Sequence, residues 1–194
     1  FTTVVDAGTR SESGLDMLAQ AVREVGIRCV LALTCNDLHH PAGDQAFAQQ
    51  SDAAQRHLAR FDGDPLITPS LGISIPEAAS DAMLARVAAL ALEAGVCFQT
   101  HANEHLVAVE RSLVGRGLRP IELLARVKAL NPSTLLAHAT LTTPRELCMI
   151  RDAGAAVAYN PVASAWKGNA VLNAELLHAL GIPFALGTDG TTYD

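Results

Sequence analysis

The chain has 194 residues, 49% of them apolar and 4% aromatic, with a formal net charge of −6. That length and apolar share can build one sizeable core and fit a single domain. Lys and Arg are scattered without a basic stripe, which argues against nucleic acid or an anionic membrane as a partner and leaves small neutral molecules open.

In chain order, Thr2 to Ala7 is a β-branched strand, and Gly14 to Val25 is a helix with Leu15, Leu18, Ala19 and Val22 at helical spacing. Ile27 to Thr34 is the next strand. A polar loop over 35–43 follows, carrying Asn36, Asp37, His39 and His40, then a helix from Gln45 to Arg60 closed by the FDGDP turn. Leu66 to Leu71 reads as a strand, Pro76 as the start of a helix running to Ala94, and Val96 to Thr100 as a strand. Two helical stretches flank the Gly115 to Gly117 turn, and the strand Thr134 to Ala137 ends on His138. Thr143-Pro144 has the pattern of an N-cap with proline at the first helical position, opening a helix to Asp152. The remainder reads as a strand Ala155 to Ala158, a loop through Asn169, a helix Val171 to Leu180 and a strand Ile182 to Leu186.

Four segments share one grammar: REVGIRCVLALTCND, LEAGVCFQTHANEH, RDAGAAVAYNP and HALGIPFALGTDG. Each is a helix closed by a C′ glycine, a short link and an apolar strand suited to burial on both faces, the repeating unit of an α/β fold. Seven strands with six intervening helices fall short of the eight that close a (β/α)8 TIM barrel, so the chain is expected to be a partial barrel of one domain, 1–194, truncated at both ends. Its bare first strand would leave an exposed edge, which predicts self-pairing or a homo-oligomer. An open doubly wound sheet is the alternative, but no GxGxxG follows the first strand.

Cys29, Cys35, Cys97 and Cys148 have no CxxC spacing and read as free thiols rather than a disulfide frame. No apolar run reaches the roughly 18 residues of a membrane span, and the first residues read as a strand rather than a signal segment. The expected compartment is the cytoplasm.

In α/β folds chemistry collects at the carboxyl ends of strands. FQTHANEH places His101 at such an end with Glu104 three residues on; a neutral imidazole can hold a divalent metal while a nearby carboxylate moves a proton. STLLAHAT ends a strand on His138, and FALGTDG ends one on Asp189, flanked by Gly187 and Gly190, which permit close backbone approach. If these strands share a sheet, His101, Glu104, His138 and Asp189 surround one site. His39-His40 is a poor substitute for ligands, because adjacent side chains point in different directions. Trp166 could stack on a flat ring, with Lys167 or Asn169 at its edge; Cys35 and Asn36 are weaker pocket candidates. His57, His105 and His178 sit in helical surroundings suited to surface or packing roles.

The ordered motifs HAxE (His101 to Glu104), LLAH (Leu135 to His138), Asn160-Pro161 and GTDG (Gly187 to Gly190) resemble the amidohydrolase superfamily, in particular its cytosine deaminase-like and triazine hydrolase-like (chlorohydrolase) branch. The resemblance spans the whole chain. It implies a metal-dependent barrel with His101 and Asp189 as metal ligands, Glu104 as proton shuttle, His138 as partner of substrate or attacking water, and Asp189 also receiving a proton. One divalent metal is implied, zinc ahead of iron. The implied reaction is deamination of an amino-substituted N-heterocycle of purine, pyrimidine or triazine type by metal-bound hydroxide. Asn160, Trp166 and Asn169 are the expected substrate contacts.

The departures are specific. The family carries an HxH pair at the end of its first barrel strand, and TTVVDA instead resembles strand two, so strands two to eight are expected. YNPVASAWKGNA differs from the CPTSNLKLG of relatives that act on adenosine-like compounds, which points to a different pocket. Hydrolysis of a cyclic amide or of a ring halide, and a non-catalytic barrel fragment, stand as alternatives.

Overall fold

A computed structural model of the chain describes residues 2–190. The chain divides into two compact units, one of Phe1–Ser74 with Ala78–Gln99, the other of Ile75–Glu77 with everything from Thr100 onward.

The first unit alternates β1 (Thr3–Thr9), α1 (Glu12–Val25), β2 (Arg28–Thr34), α2 (Ala46–Arg60), β3 (Ile67–Gly72) and α3 (Asp81–Glu93), and ends within β4 (Phe98–Ala102). Neighbouring strands are parallel, with Leu31 opposite Pro69 and Leu71 opposite Phe98. Ser11 caps α1 by accepting the Gly14 N–H at 3.1 Å, and Gly26 closes it in the left-handed conformation. Leu31, Leu71, Met83, Leu84 and Phe98 are fully buried and form the core between strands and helices.

The helix expected from Pro76 to Ala94 is broken. Pro76–Ala78 is a 3-10 turn and α3 starts only at Asp81. The cause is Ser80, whose Oγ accepts the Met83 N–H at 3.1 Å while Asp37 accepts both the Ser80 N–H at 2.7 Å and its hydroxyl at 2.6 Å. β1 also departs from two-sided burial: Val4 and Val5 are exposed, as suits a strand paired on one side only within this unit.

The second unit runs from the end of β4 through α4 (Leu106–Arg116), α5 (Pro120–Arg126), β5 (Thr134–His138), α6 (Pro144–Ala153), β6 (Ala156–Tyr159), α7 (Pro161–Lys167), α8 (Ala174–Ala179) and β7 (Phe184–Leu186). β5, β6 and β7 are parallel, with Leu136 opposite Val157 and Val157 opposite Phe184. Leu136, Val157, Ile121, Leu124, Ile150 and Leu177 fill the core.

Two expectations are corrected here. The stretch after β6 is helix, α7, because Pro161 sits at its first position and Gly168 turns the chain out of it. β7 is exposed along its length and, among the described residues, paired only to β6, so it is not buried on both faces. With α7 added to the seven helical stretches expected, there are eight α-helices among the described residues.

Candidate active site

The residues with catalytic potential all lie in the second unit, at strand ends. His101 is in β4, and just past its end Asn103 adopts a left-handed φ of 52°, turning the chain so that Glu104 follows. That turn is held from below. The Asn103 amide donates to Glu146 Oε1 at 2.9 Å and to the Leu141 carbonyl at 3.2 Å, and the Thr140 hydroxyl donates to the carbonyls of Asn103 and Glu104 at 3.1 and 2.7 Å.

Glu146 is fully buried. It belongs to a capping box in which its N–H donates to Thr143 Oγ1 and its carboxylate accepts from the Thr143 N–H, and it also accepts Arg119 Nε at 2.9 Å. Asn103, Thr140, Arg119 and Glu146 went unremarked in the sequence. Thr143-Pro-Arg-Glu146 is a legible capping box, but nothing local announces that its acid reaches a second strand end.

His138 closes β5 with φ 73°, and Ala139 after it has φ 50°. Two consecutive non-glycine residues in the left-handed region are costly and are held here by tertiary contacts, such as the Ala139 N–H donating to the Ala102 carbonyl at 3.0 Å. Asp189 lies beyond β7 with φ 63°.

Glu104, His138 and Asp189 each direct one donor atom so that all three lie within 4.8 Å of one another. His138 Nε2 is 3.7 Å from Glu104 Oε2 and 3.8 Å from Asp189 Oδ2. The His101 ring packs on that of His138, centroids 5.4 Å apart. From the end of α7, Lys167 Nζ donates to Glu104 Oε1 at 2.8 Å and to Asp189 Oδ2 at 3.2 Å. Asn169 Nδ2 reaches Glu104 Oε1 at 3.5 Å, the outer limit of a hydrogen bond.

Electrostatics follow from burial. His138 is 1% exposed, and desolvation pulls its pKa down to about 4 against the pull of Glu104 and Asp189, so its imidazole is neutral at pH 7. Burial pushes the Glu104 carboxyl up more than any one contact pulls it down, but the Lys167 hydrogen bond and the charges of His138, Lys167 and His105 together hold the group below the usual carboxylate range. The same contacts raise Lys167 despite its desolvation.

The donor set fits a divalent metal. Both ring nitrogens of His138 are buried without a hydrogen-bond partner among the described residues, and two carboxylate oxygens converge on the same space.

The other expected contacts are placed as follows. Asn160 is buried at the head of α7, with Oδ1 close against Gly187, and Trp166 is 69% exposed on α7. In the first unit, Asn36 is bound to Ser74, its Nδ2 donating to Ser74 Oγ at 2.7 Å; Cys35 is buried, its thiol pushed up to about 12 by desolvation. His40 anchors its own turn by accepting the Ala42 N–H. His57 is a packing histidine, its Nε2 3.0 Å from the Leu31 carbonyl oxygen, and His105 caps α4.

Parallel βα units with acid, imidazole and carboxylate groups gathered at strand ends define part of a (β/α)8 barrel of the metal-dependent hydrolase type. Residues 1–193 match the model of the amidohydrolase family, and the chain belongs to that family. A 5'-deoxyadenosine deaminase of Methanopyrus kandleri is 28% identical over 176 residues, covering 91% of this chain and 40% of the relative. An adenosine deaminase from Xanthomonas campestris, solved with bound zinc, superimposes with a TM-score of 0.84 at 24% identity, over 99% of this chain and 43% of that one. Atrazine chlorohydrolase from Arthrobacter aurescens, complexed with zinc, gives 0.85 at 22% identity, over 99% and 46%. The chain spans about 40% of the length of the curated relatives it matches.

Proposed function

We propose that the complete protein is a metal-dependent hydrolase that deaminates an amino-substituted N-heterocycle of purine, pyrimidine or triazine type. The observation that carries this reading is the convergence of Glu104, His138 and Asp189 within 4.8 Å at the ends of separate strands. The deaminase relative at 28% identity supports it. We read the chain as part of one catalytic barrel domain, and the four free thiols suit a reducing compartment such as the cytoplasm.

His101 and Asp189 are the residues assigned to hold one divalent metal, zinc ahead of iron, and His138 stands close enough to join them. Such an ion, when bound, lowers the pKa of water and polarises the reacting centre. Glu104 takes one proton of the water and delivers it to the departing amine, which leaves as ammonia, and Asp189 accepts the second and returns it to the ring nitrogen. His138, neutral and buried, orients the attacking water or the ring between the two carboxylates. Lys167 must release both carboxylates before they can act, and Asn169 and Trp166 are then placed to hold the flat ring.

The test is ammonia release by the full-length protein from a panel of aminopurines, aminopyrimidines and aminotriazines. Glu104→Gln should lower kcat by about 10²- to 10⁴-fold with the fold intact. Chloride release from chlorotriazines without ammonia release would transfer the reading to halide hydrolysis, and silence on both panels would sink it.

A further inference from the structure

Helix α4 of the second unit turns an apolar face to solvent. Its inner side is conventional: Val109 and Ser112 are buried, the Ser112 hydroxyl donates to the Leu118 carbonyl at 2.8 Å, and His105 caps the first turn. Its outer side carries Leu106, Val107, Leu113 and Val114, which are 43% to 89% exposed. At about 100° per residue these four and Glu110 fall within an arc of about 120°, in the order Leu113, Leu106, Glu110, Val114 and Val107. No other described helix exposes more than two large apolar side chains. Single exposed apolar residues are normal on a protein surface, whereas a contiguous stripe marks a contact.

Charge decides what fits against this stripe. Glu110 lies in its middle and Arg111 at its side, both exposed, and neither makes a hydrogen bond or ion pair among the described residues. An antiparallel copy of the same helix satisfies both charges at once. With a two-fold axis passing between Glu110 and Arg111, positions equally far from the axis along the chain face each other. Glu110 then meets Arg111 of the second copy, and Val107 meets its Val114, each contact occurring twice, with Leu106 and Leu113 flanking them. An axis through Glu110 itself would set the two glutamates against each other and is disfavoured.

We propose that the outer face of α4 is a homodimer interface, formed by antiparallel packing on α4 of a second copy about a two-fold axis between Glu110 and Arg111. Self-pairing then runs through a helix rather than through the exposed edge of β1. The proposal does not depend on the reaction catalysed, although Arg111 also borders the cleft that His101 and Glu104 line, so the second copy fixes a side chain at the rim of that cleft. Four apolar side chains and one charged pair per copy make a small interface, with an expected dissociation constant on the order of micromolar.

Sedimentation of the full-length protein from about 1 to 100 μM tests the proposal, because wild type should pass from monomer to dimer across that range. Val114→Glu should weaken the dimer by about a hundredfold, since each copy would press a carboxylate onto the other's Val107, and should leave Tm unchanged in dilute solution where both proteins are monomeric. Glu110→Arg and Arg111→Glu should each weaken it by about tenfold, and the double exchange should restore it by recreating both ion pairs. A wild type that stays monomeric over the whole range overturns the proposal, as does a dimer indifferent to Val114→Glu or a double exchange no tighter than the single ones. A monomeric wild type in which Val114→Glu lowers Tm at every concentration would overturn it in a specific way, by showing that the remainder of the full-length protein covers α4.

Discussion

Lys167 and Glu104 form an ion pair of 2.8 Å, and the same ammonium lies 3.2 Å from Asp189, so one cation bridges two carboxylates that converge on His138. An ammonium and a divalent ion cannot share those oxygens. At an effective dielectric near 20 their repulsion across about 4 Å is several kcal/mol, so much of the cost of metal entry is the displacement of this side chain.

Lys167→Met should therefore tighten zinc binding by about tenfold or more in competition with a chromophoric chelator. In the metal-free protein the same substitution leaves Glu104 and Asp189 facing each other unpaired and should lower Tm. Unchanged zinc affinity would mean that the ammonium leaves the site at no cost.

The pH dependence of the metal-free protein is set in part by His138. Its folded pKa is pulled from 6.5 to about 4 by burial, so between those values the unfolded chain binds the proton that the folded protein refuses. Stability is therefore full above the unfolded value and is lost as pH falls from 6.5 towards 4, by at most about 3 kcal/mol. Denaturant titrations in chelator across that window should show the loss, and His138→Gln should flatten it. A wild-type profile flat from pH 6.5 to 4 would contradict the burial argument.

The sequence carried the fold and the reactive groups for the same reason: helix-closing glycines and apolar runs mark each βα unit, and His101, Glu104, His138 and Asp189 stand at the ends of such runs. What it hid is tertiary. The stretch after β6 reads as a loop through Asn169, although Pro161 begins α7 and Gly168 caps it, and this helix is what carries Lys167 to the carboxylates. Ser80 splits the expected helix after Pro76 because Asp37, more than forty positions earlier, holds it.

Glu146 tests how far the site depends on its support. It is fully buried and accepts from Arg119, Asn103 and the Thr143 cap at once. Glu146→Ala should cost about 3 to 5 kcal/mol, because it removes the carboxylate paired with the Arg119 guanidinium and leaves that group and the Asn103 amide only the Leu141 carbonyl as acceptor. Because Asn103 sets the turn that presents Glu104, kcat should fall in that variant even at temperatures where it remains folded. A large stability loss with kcat unchanged would show that Thr140 alone holds the Glu104 turn.

Gly187 tests the approach of β7 to the head of α7. A Cβ there would stand 2.2 Å from Asn160 Oδ1, a distance no side chain tolerates, while the Gly187 N–H is fixed to the Tyr159 carbonyl at 2.8 Å. Gly187→Ala must push Asn160 aside or lift the chain that leads to Asp189, at a cost of about 1 to 3 kcal/mol. Adding Asn160→Ala removes the overlap, so the double variant should recover much of that stability, with a coupling beyond additivity. Kinetics on the double variant then separate two roles for Asn160. A raised KM with kcat retained means that its amide touches the substrate, whereas wild-type kinetics mean that it serves only to seat β7 against α7.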